Sequence, residues 1–220
     1  MAATGQIPLP VVVLISGNGS NLQALIDTFN SDDAPARICA VISNRPQAYG
    51  LERAQRAGIP THVIDHQRYS DRPDFEQALQ TVIDDYHPGL VVLAGFMRIL
   101  TERFVNHYLG RMVNIHPSLL PNFQGLDTHQ RALDSGLAQH GASVHFVTPE
   151  LDGGPVIMRA PVTIKPGDDA QTLAARVLRE EHRIYPEVVR LFAGGRVRLD
   201  DNQALLDGIA VPQLSKHNHA

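Results

Sequence analysis

An α/β fold with a mainly parallel open sheet, helices on both of its faces and an antiparallel edge in the C-terminal half is what the sequence predicts. Three observations carry this. Short β-branched runs without polar alternation recur through the first half of the chain, as strands buried on both faces of a sheet do. Segments with helical spacing separate them, which argues for βαβ crossovers and a parallel sheet. Beyond Pro121 the rhythm changes to two extended stretches joined by a turn-rich segment.

Taken in order, Val11-Val12-Val13-Leu14-Ile15 opens the core as the first strand, and similar runs follow at 38–43, 62–64, 90–94 and 112–115. Helical patterns lie between them near 21–29, 49–57, 74–86 and 101–107. A helix near 128–135 precedes extended stretches at 142–148 and 156–164, joined by Glu150-Leu151-Asp152-Gly153-Gly154-Pro155; these two are expected to pair antiparallel at one edge. A long helix near 170–192 carries Leu173, Val177, Ile184, Val188 and Leu191 at helical spacing, with Gly194-Gly195 as its stop. Pro186 is expected to kink or break that helix. Residues 1–200 are expected to form one domain, and 201–220, polar and aperiodic, a tail disordered in part.

With 43% hydrophobic residues, a chain of 220 can bury a sizeable core. A formal net charge of −4 leaves no electrostatic footprint for nucleic acid or an anionic membrane, so neither is expected as a partner. No stretch reaches the ~18 apolar residues that a membrane span needs, and Met1 to Pro10 lacks the pattern of a signal peptide, so a cytoplasmic protein is expected. The single cysteine, Cys39, excludes a disulfide within the chain and is expected to be a buried strand residue.

Ser16-Gly17-Asn18-Gly19-Ser20-Asn21 lies between the first strand and a helix, where unpaired backbone N–H groups and the helix dipole favour an anion. Two glycines let the backbone approach a ligand closely, and Ser20 or Asn21 can donate to phosphate oxygens or simply cap the helix. Leu22 stands where a dinucleotide fingerprint needs its third glycine, and the Gly-Lys-Ser/Thr of a P-loop is missing. A monophosphate fits better than either ligand.

The fifth strand ends in Val113-Asn114-Ile115-His116-Pro117, and period two puts Asn114 and His116 on one side of it. Both fall at the carboxyl end of a strand, the edge where open α/β sheets bind ligands. A carboxamide can donate to an oxygen gaining negative charge, and an imidazole beside it can stabilise the same oxygen or move a proton. These are roles for acyl transfer. Asp152 lies in an Asp-Gly turn, and spacing alone does not link it to His116. Near that ring, its charge would favour the imidazolium form.

At these residues the chain resembles the phosphoribosylglycinamide formyltransferase family, the folate-dependent enzymes of purine synthesis. The similar blocks are Leu14 to Gln23, Val92 to Leu100, Asn114 to Pro121 and Ser143 to Thr148, spread over residues 11 to about 199. The resemblance implies a Rossmann-like formyltransferase fold, 10-formyltetrahydrofolate as co-substrate, phosphoribosylglycinamide as acceptor, and no metal. It implies catalysis by Asn114, His116 and Asp152. It assigns Gly17, Asn18, Gly19, Ser20 and Asn21 to the ribotide phosphate and Glu181 to the ribotide. It places Arg72, Met97, Arg98, Ile99 and Leu100, together with Asn114, Thr148, Pro149, Glu150, Leu151 and Asp152, around the folate. The stretch Asn122 to Asp127 departs from the family's common pattern. Other formyltetrahydrofolate enzymes share the blocks at 114–121 and 151–155, so the loop at Gly17 to Asn21 is what favours a phosphorylated acceptor over water. Initiator tRNA is the less expected acceptor, because such an enzyme would be expected to carry a further RNA-binding domain and this chain is acidic. A phosphate-ligand sensor without turnover is the alternative outside enzymes.

Overall fold

The computed structural model describes residues 7–215. Its main sheet has seven strands: β1 (Leu9–Ile15), β2 (Ala36–Ser43), β3 (Thr61–Val63), β4 (Leu90–Leu93), β5 (Met112–His116), β6 (Gln139–Phe146) and β7 (Val156–Thr163). They lie in the order β3-β2-β1-β4-β5-β6-β7. The pairings from β3 through β5 are parallel, and β5–β6 and β6–β7 are antiparallel. The expected antiparallel edge is therefore present, and it begins one strand earlier than the 142–148 and 156–164 pair alone.

Six helices cover this sheet: α1 (Ser20–Phe29), α2 (Tyr49–Arg56), α3 (Arg72–Asp85), α4 (Glu102–His107), α5 (Thr128–Asp134) and α6 (Ala170–Ala193). Successive residues of β1 point to opposite faces. Val11, Val13 and Ile15 pack with Leu22 and Leu25 of α1 and Leu173, Val177 and Ile184 of α6, whereas Val12 and Leu14 pack with Phe75, Leu79 and Ile83 of α3 and Phe104 of α4. Both faces of the strand are thus dry, which is why it carries no polar alternation.

Of the expected kink or break at Pro186, the break does not occur: α6 runs from Ala170 to Ala193 with the proline inside it. The helix is held from outside its own ladder. Tyr185, fully buried, donates to the carbonyl oxygens of Leu93 at 2.8 Å and Val113 at 3.2 Å, and Ile184, Val188 and Val189 are buried against the sheet. This tertiary burial offsets the few kcal/mol, about 3, that an interior proline typically costs. Gly195, with φ +66°, supplies the left-handed residue that ends the helix as expected.

The domain boundary expected at residue 200 falls inside a second sheet. Strands β8 (Val197–Asp200), β9 (Gln203–Leu206) and β10 (Ile209–Ala210) form an antiparallel meander. Asp201 and Asn202 both have positive φ, as do Asp207 and Gly208, so each connection is a two-residue hairpin turn of the primed type. The Asp-Gly pair between Leu206 and Ile209 was a readable hairpin signal; the polarity of the surrounding residues hid it. Beyond β10, the Gln213 side chain bonds both the N–H and the carbonyl of Val156 on the edge strand β7. The end of the tail, where disorder was expected, lies outside the described residues.

Cys39 lies on β2 as expected but is half-buried, its thiol donating to the Val11 carbonyl at 3.1 Å. It borders a cavity of about 690 Å³ at the amino end of β1 and β2, shared with Phe29, Arg37 and Tyr86. That cavity lies at the opposite end of β1 from the Gly17 to Asn21 loop. Among the described residues no helix is long and apolar enough to cross a membrane.

Candidate active site

Strand order reverses at β1: β2 and β3 extend to one side and β4 and β5 to the other. A crevice forms outside the carboxyl ends of strands at such a switch point. The loop at 16–19 leaves β1 there, the segment 97–100 follows β4, and Asn114 and His116 end β5.

At the loop, Gly19 is the residue preceding α1, with φ +74°, and no side chain caps the helix. Capping by Ser20 or Asn21, the plainer reading of this sequence, is not what the structure has. A Cβ on Gly19 would lie 2.7 Å from the Cα of Gly50, so the close approach of α2 requires the glycine as much as its dihedral does. Asn21 Nδ2 donates to Glu181 Oε2 at 2.7 Å, joining residues that are far apart in sequence. Glu181 is buried on α6, and burial raises its pKa while the Asn21 amide works against that rise. The Asn21 Oδ1 atom is buried without a partner among the described residues.

Ser16, at the exit of β1, accepts from the Met97 N–H at 2.7 Å and donates to Asn44 Oδ1. This buried hydroxyl ties the loop after β1 to the segment after β4.

At the end of β5 the structure brings together Asn114, His116 and Asp152. His116 Nδ1 lies 3.4 Å from Asp152 Oδ2, a direct contact with no space for a water between them. His116 Nε2 donates to the Phe123 carbonyl at 2.9 Å, so both ring nitrogens face acceptors and a doubly protonated ring satisfies both. Asp152 sits in the turn between β6 and β7 with φ +49°, a left-handed conformation that aspartate tolerates better than most residues. The turn is fixed by Gly154, where a Cβ would overlap the Phe146 carbonyl oxygen. Asp152 Oδ2 also accepts from the Gly125 N–H at 2.9 Å, and its carbonyl accepts from Gln124 Nε2 at 3.2 Å.

Sequence reasoning missed His145. The β5–β6 register sets it directly opposite Asn114, and it is 3.8 Å from Asp152 Oδ1. Burial lowers its pKa to about 4, against the smaller opposing effects of the Phe146 carbonyl and Asp152. Its Nδ1–H donates to the Phe146 carbonyl at 2.8 Å, leaving Nε2 to accept from Asn114 Nδ2 at 3.2 Å. The signal was present: in an antiparallel edge, the residue facing a catalytic strand is set by register, but register could not be counted from sequence. His140, also buried and lowered to about 4 chiefly by burial, stacks edge-on against Phe123 and contacts His129.

A cavity of about 100 Å³ runs from Asn114 and His145 to the turn at 148–152 and is lined also by Arg98, Ile99 and Leu100. Of the residues that the resemblance sets around a folate, Thr148, Pro149, Glu150, Leu151 and Asp152 line it too. Met97 and Arg72 do not. Met97 is 58% exposed, and Arg72 begins α3 on the surface.

The chain belongs to the class of formyl transferases, whose family model matches residues 9–189. More narrowly, the chain belongs to the phosphoribosylglycinamide formyltransferase family. It is 52% identical over 202 residues to the Escherichia coli (strain K12) enzyme of that name, an alignment covering 92% of this chain and 95% of that one. The solved structure of the Coxiella burnetii enzyme matches with a TM-score of 0.90 at 56% identity, covering 94% of this chain and 97% of that one. That of glycinamide ribonucleotide transformylase 1 from Symbiobacterium toebii matches with a TM-score of 0.88 at 43% identity, covering 94% and 97%.

Proposed function

We propose that this chain transfers the formyl group of 10-formyltetrahydrofolate to the amine of phosphoribosylglycinamide in de novo purine biosynthesis, with Asn114, His116 and Asp152 as its catalytic residues. The observation that carries this reading is the convergence of these three side chains at the end of β5, across the switch point from the Gly17 to Asn21 loop.

The acceptor amine attacks the formyl carbon, and the carbonyl π electrons move onto oxygen to give a tetrahedral intermediate. Asn114 donates one N–H to that oxygen. Its other N–H is committed to His145 Nε2, so the neutral His145 aims the amide. His116, whose N–H groups face Phe123 and Asp152, stabilises the same oxyanion through the charge of its imidazolium ring, which Asp152 holds in place from 3.4 Å away. Collapse re-forms the carbonyl and breaks the bond to the folate nitrogen; that nitrogen gains a proton as the acceptor nitrogen loses one. Phe123, by accepting from His116 Nε2, fixes the ring plane.

The phosphate of the acceptor is read by the backbone amides of Gly19, Ser20 and Asn21 at the uncapped start of α1, with Gly17 and Asn18 shaping the loop and Glu181 facing the ribotide. The cleft lined by Arg98 to Leu100 and Thr148 to Asp152 takes the folate; Met97 and Arg72, which do not line it, are assigned to the folate by the family resemblance alone. Soluble cytoplasmic action without nucleic-acid or membrane partners fits the composition.

Incubation with the formyl donor, with and without phosphoribosylglycinamide, tests this. Donor consumption is expected only when both are present; consumption in water alone would indicate a hydrolase instead.

A further inference from the structure

The loop between β1 and α1 is held in shape by a residue from a different βα unit. Arg53, on the last turn of α2, donates through Nε to the Asn18 carbonyl at 2.9 Å and through Nη2 to Asn18 Oδ1 at 2.8 Å. Its third arm, Nη1, donates to Gln23 Oε1 at 3.1 Å, and Gln23 in turn donates to Asp27 on the same helix. One planar guanidinium therefore spans the loop and the first turns of α1. The N–H of Gly50, three residues earlier, donates to the Gly17 carbonyl at 3.1 Å, so α2 grips both ends of the Gly17-Asn18 step. The Tyr49 ring lies under the guanidinium at 4.8 Å and limits its freedom.

Charge points the same way. Glu181, bonded to Asn21, and Asp27, bonded to Gln23 on the helix that follows the loop, are carboxylates on this side of α1, and both oppose a dianionic ligand. Arg53 is the cation bonded to the loop itself. Turning the Asn18 carbonyl toward Arg53 takes a backbone acceptor out of a site meant for an anion.

We infer that Arg53 is the positioning residue of the acceptor-phosphate loop, holding Asn18 so that the amides of Gly19 to Asn21 converge and countering the nearby carboxylates. The inference rests on reading that loop as a phosphate cradle. Arginine suits the task because its rigid fork engages the carbonyl and the carboxamide of one residue together, which an ammonium does less well.

The test compares wild type, Arg53→Ala and Arg53→Lys on two acceptors: phosphoribosylglycinamide and the corresponding riboside that lacks the phosphate. For Arg53→Ala the KM for the ribotide should rise about tenfold or more with kcat held, as expected for losing charge-assisted hydrogen bonds, while the riboside kinetics stay at the wild-type level. Arg53→Lys should recover part of the loss. Melting temperatures accompany the kinetics, and should Arg53→Ala not fold, Arg53→Lys and Arg53→Gln carry the same comparison. Equal losses on both acceptors, or no loss on the ribotide, would overturn the role of Arg53 while leaving the cradle standing. A wild-type enzyme indifferent to the phosphate would overturn the cradle and this inference with it.

Discussion

Asn114 and His145 face each other across the antiparallel pair β5–β6, with Asn114 Nδ2 donating to His145 Nε2 at 3.2 Å. Burial keeps His145 neutral and its Nδ1–H is committed to the Phe146 carbonyl, so the ring offers only an acceptor to the amide. His145→Phe, which keeps a ring of similar size and removes that acceptor, should therefore lower kcat about tenfold, of the order of one lost hydrogen bond, with little change in either KM. Steady-state kinetics decide it; unchanged kcat would mean that Asn114 needs no such guide.

The direct contacts of the mechanism should cost more. Asn114→Ala removes a donor to the oxyanion and His116→Ala the positive charge beside it, a loss typically of about 2.7–4 kcal/mol, so kcat should fall on the order of a hundredfold or more. Circular dichroism should remain that of the folded wild type. Two well-folded variants turning over at the wild-type rate would remove these assignments.

Asp152→Asn separates charge from shape. Asparagine tolerates the φ of +49° and its carbonyl oxygen can still accept from the Gly125 N–H, so the loop should hold. What disappears is the negative partner 3.4 Å from His116. The kcat should drop on the order of a hundredfold, the lower end for a lost acid–base contribution, with the melting temperature nearly unchanged. A large fall in stability with full activity per folded molecule would reassign Asp152 to the turn.

At the cradle, Gly19→Ala places a Cβ 2.7 Å from the Gly50 Cα on a residue with φ +74°. The left-handed conformation alone costs about 1–2 kcal/mol for an alanine, and the contact displaces α2 from the loop. The ribotide KM should rise severalfold while affinity for a folate analogue, measured by calorimetry, stays put. A matching loss for both ligands would argue for general disruption of the switch point.

Stability should fall in mild acid. His145 and His140 are both buried and lowered to about 4 from the ordinary 6.5, mainly by burial. In the unfolded chain they protonate as pH drops through 6.5, while in the folded chain they resist until about 4, so the unfolded state binds more protons in that window. Their contribution is complete above pH 6.5 and is lost as pH falls toward 4. Each contributes a slope on the order of 1 kcal/mol per pH unit at most. Thermal unfolding from pH 7 to pH 4 should show this decline, and His140→Asn should flatten it; a variant with the wild-type slope would exclude His140 as a source.

Much of this protein was legible in its sequence because local sterics and periodicity are written along the chain. The β-branched runs placed the strands of the parallel half, period two set Asn114 and His116 on one side of β5, and Gly17 to Asn21 between a strand and a helix marked an anion loop. The tertiary structure decided what depends on residues distant in sequence. Strand register, which no turn in the sequence specifies, set His145 against Asn114, and the β6–β7 turn carried Asp152 within 3.4 Å of His116. Helix packing brought Glu181 to Asn21 and Arg53 to Asn18, and burial of Tyr185 kept α6 intact through Pro186. Pattern assigns a residue to a face; only the packing of one element against another assigns it a partner.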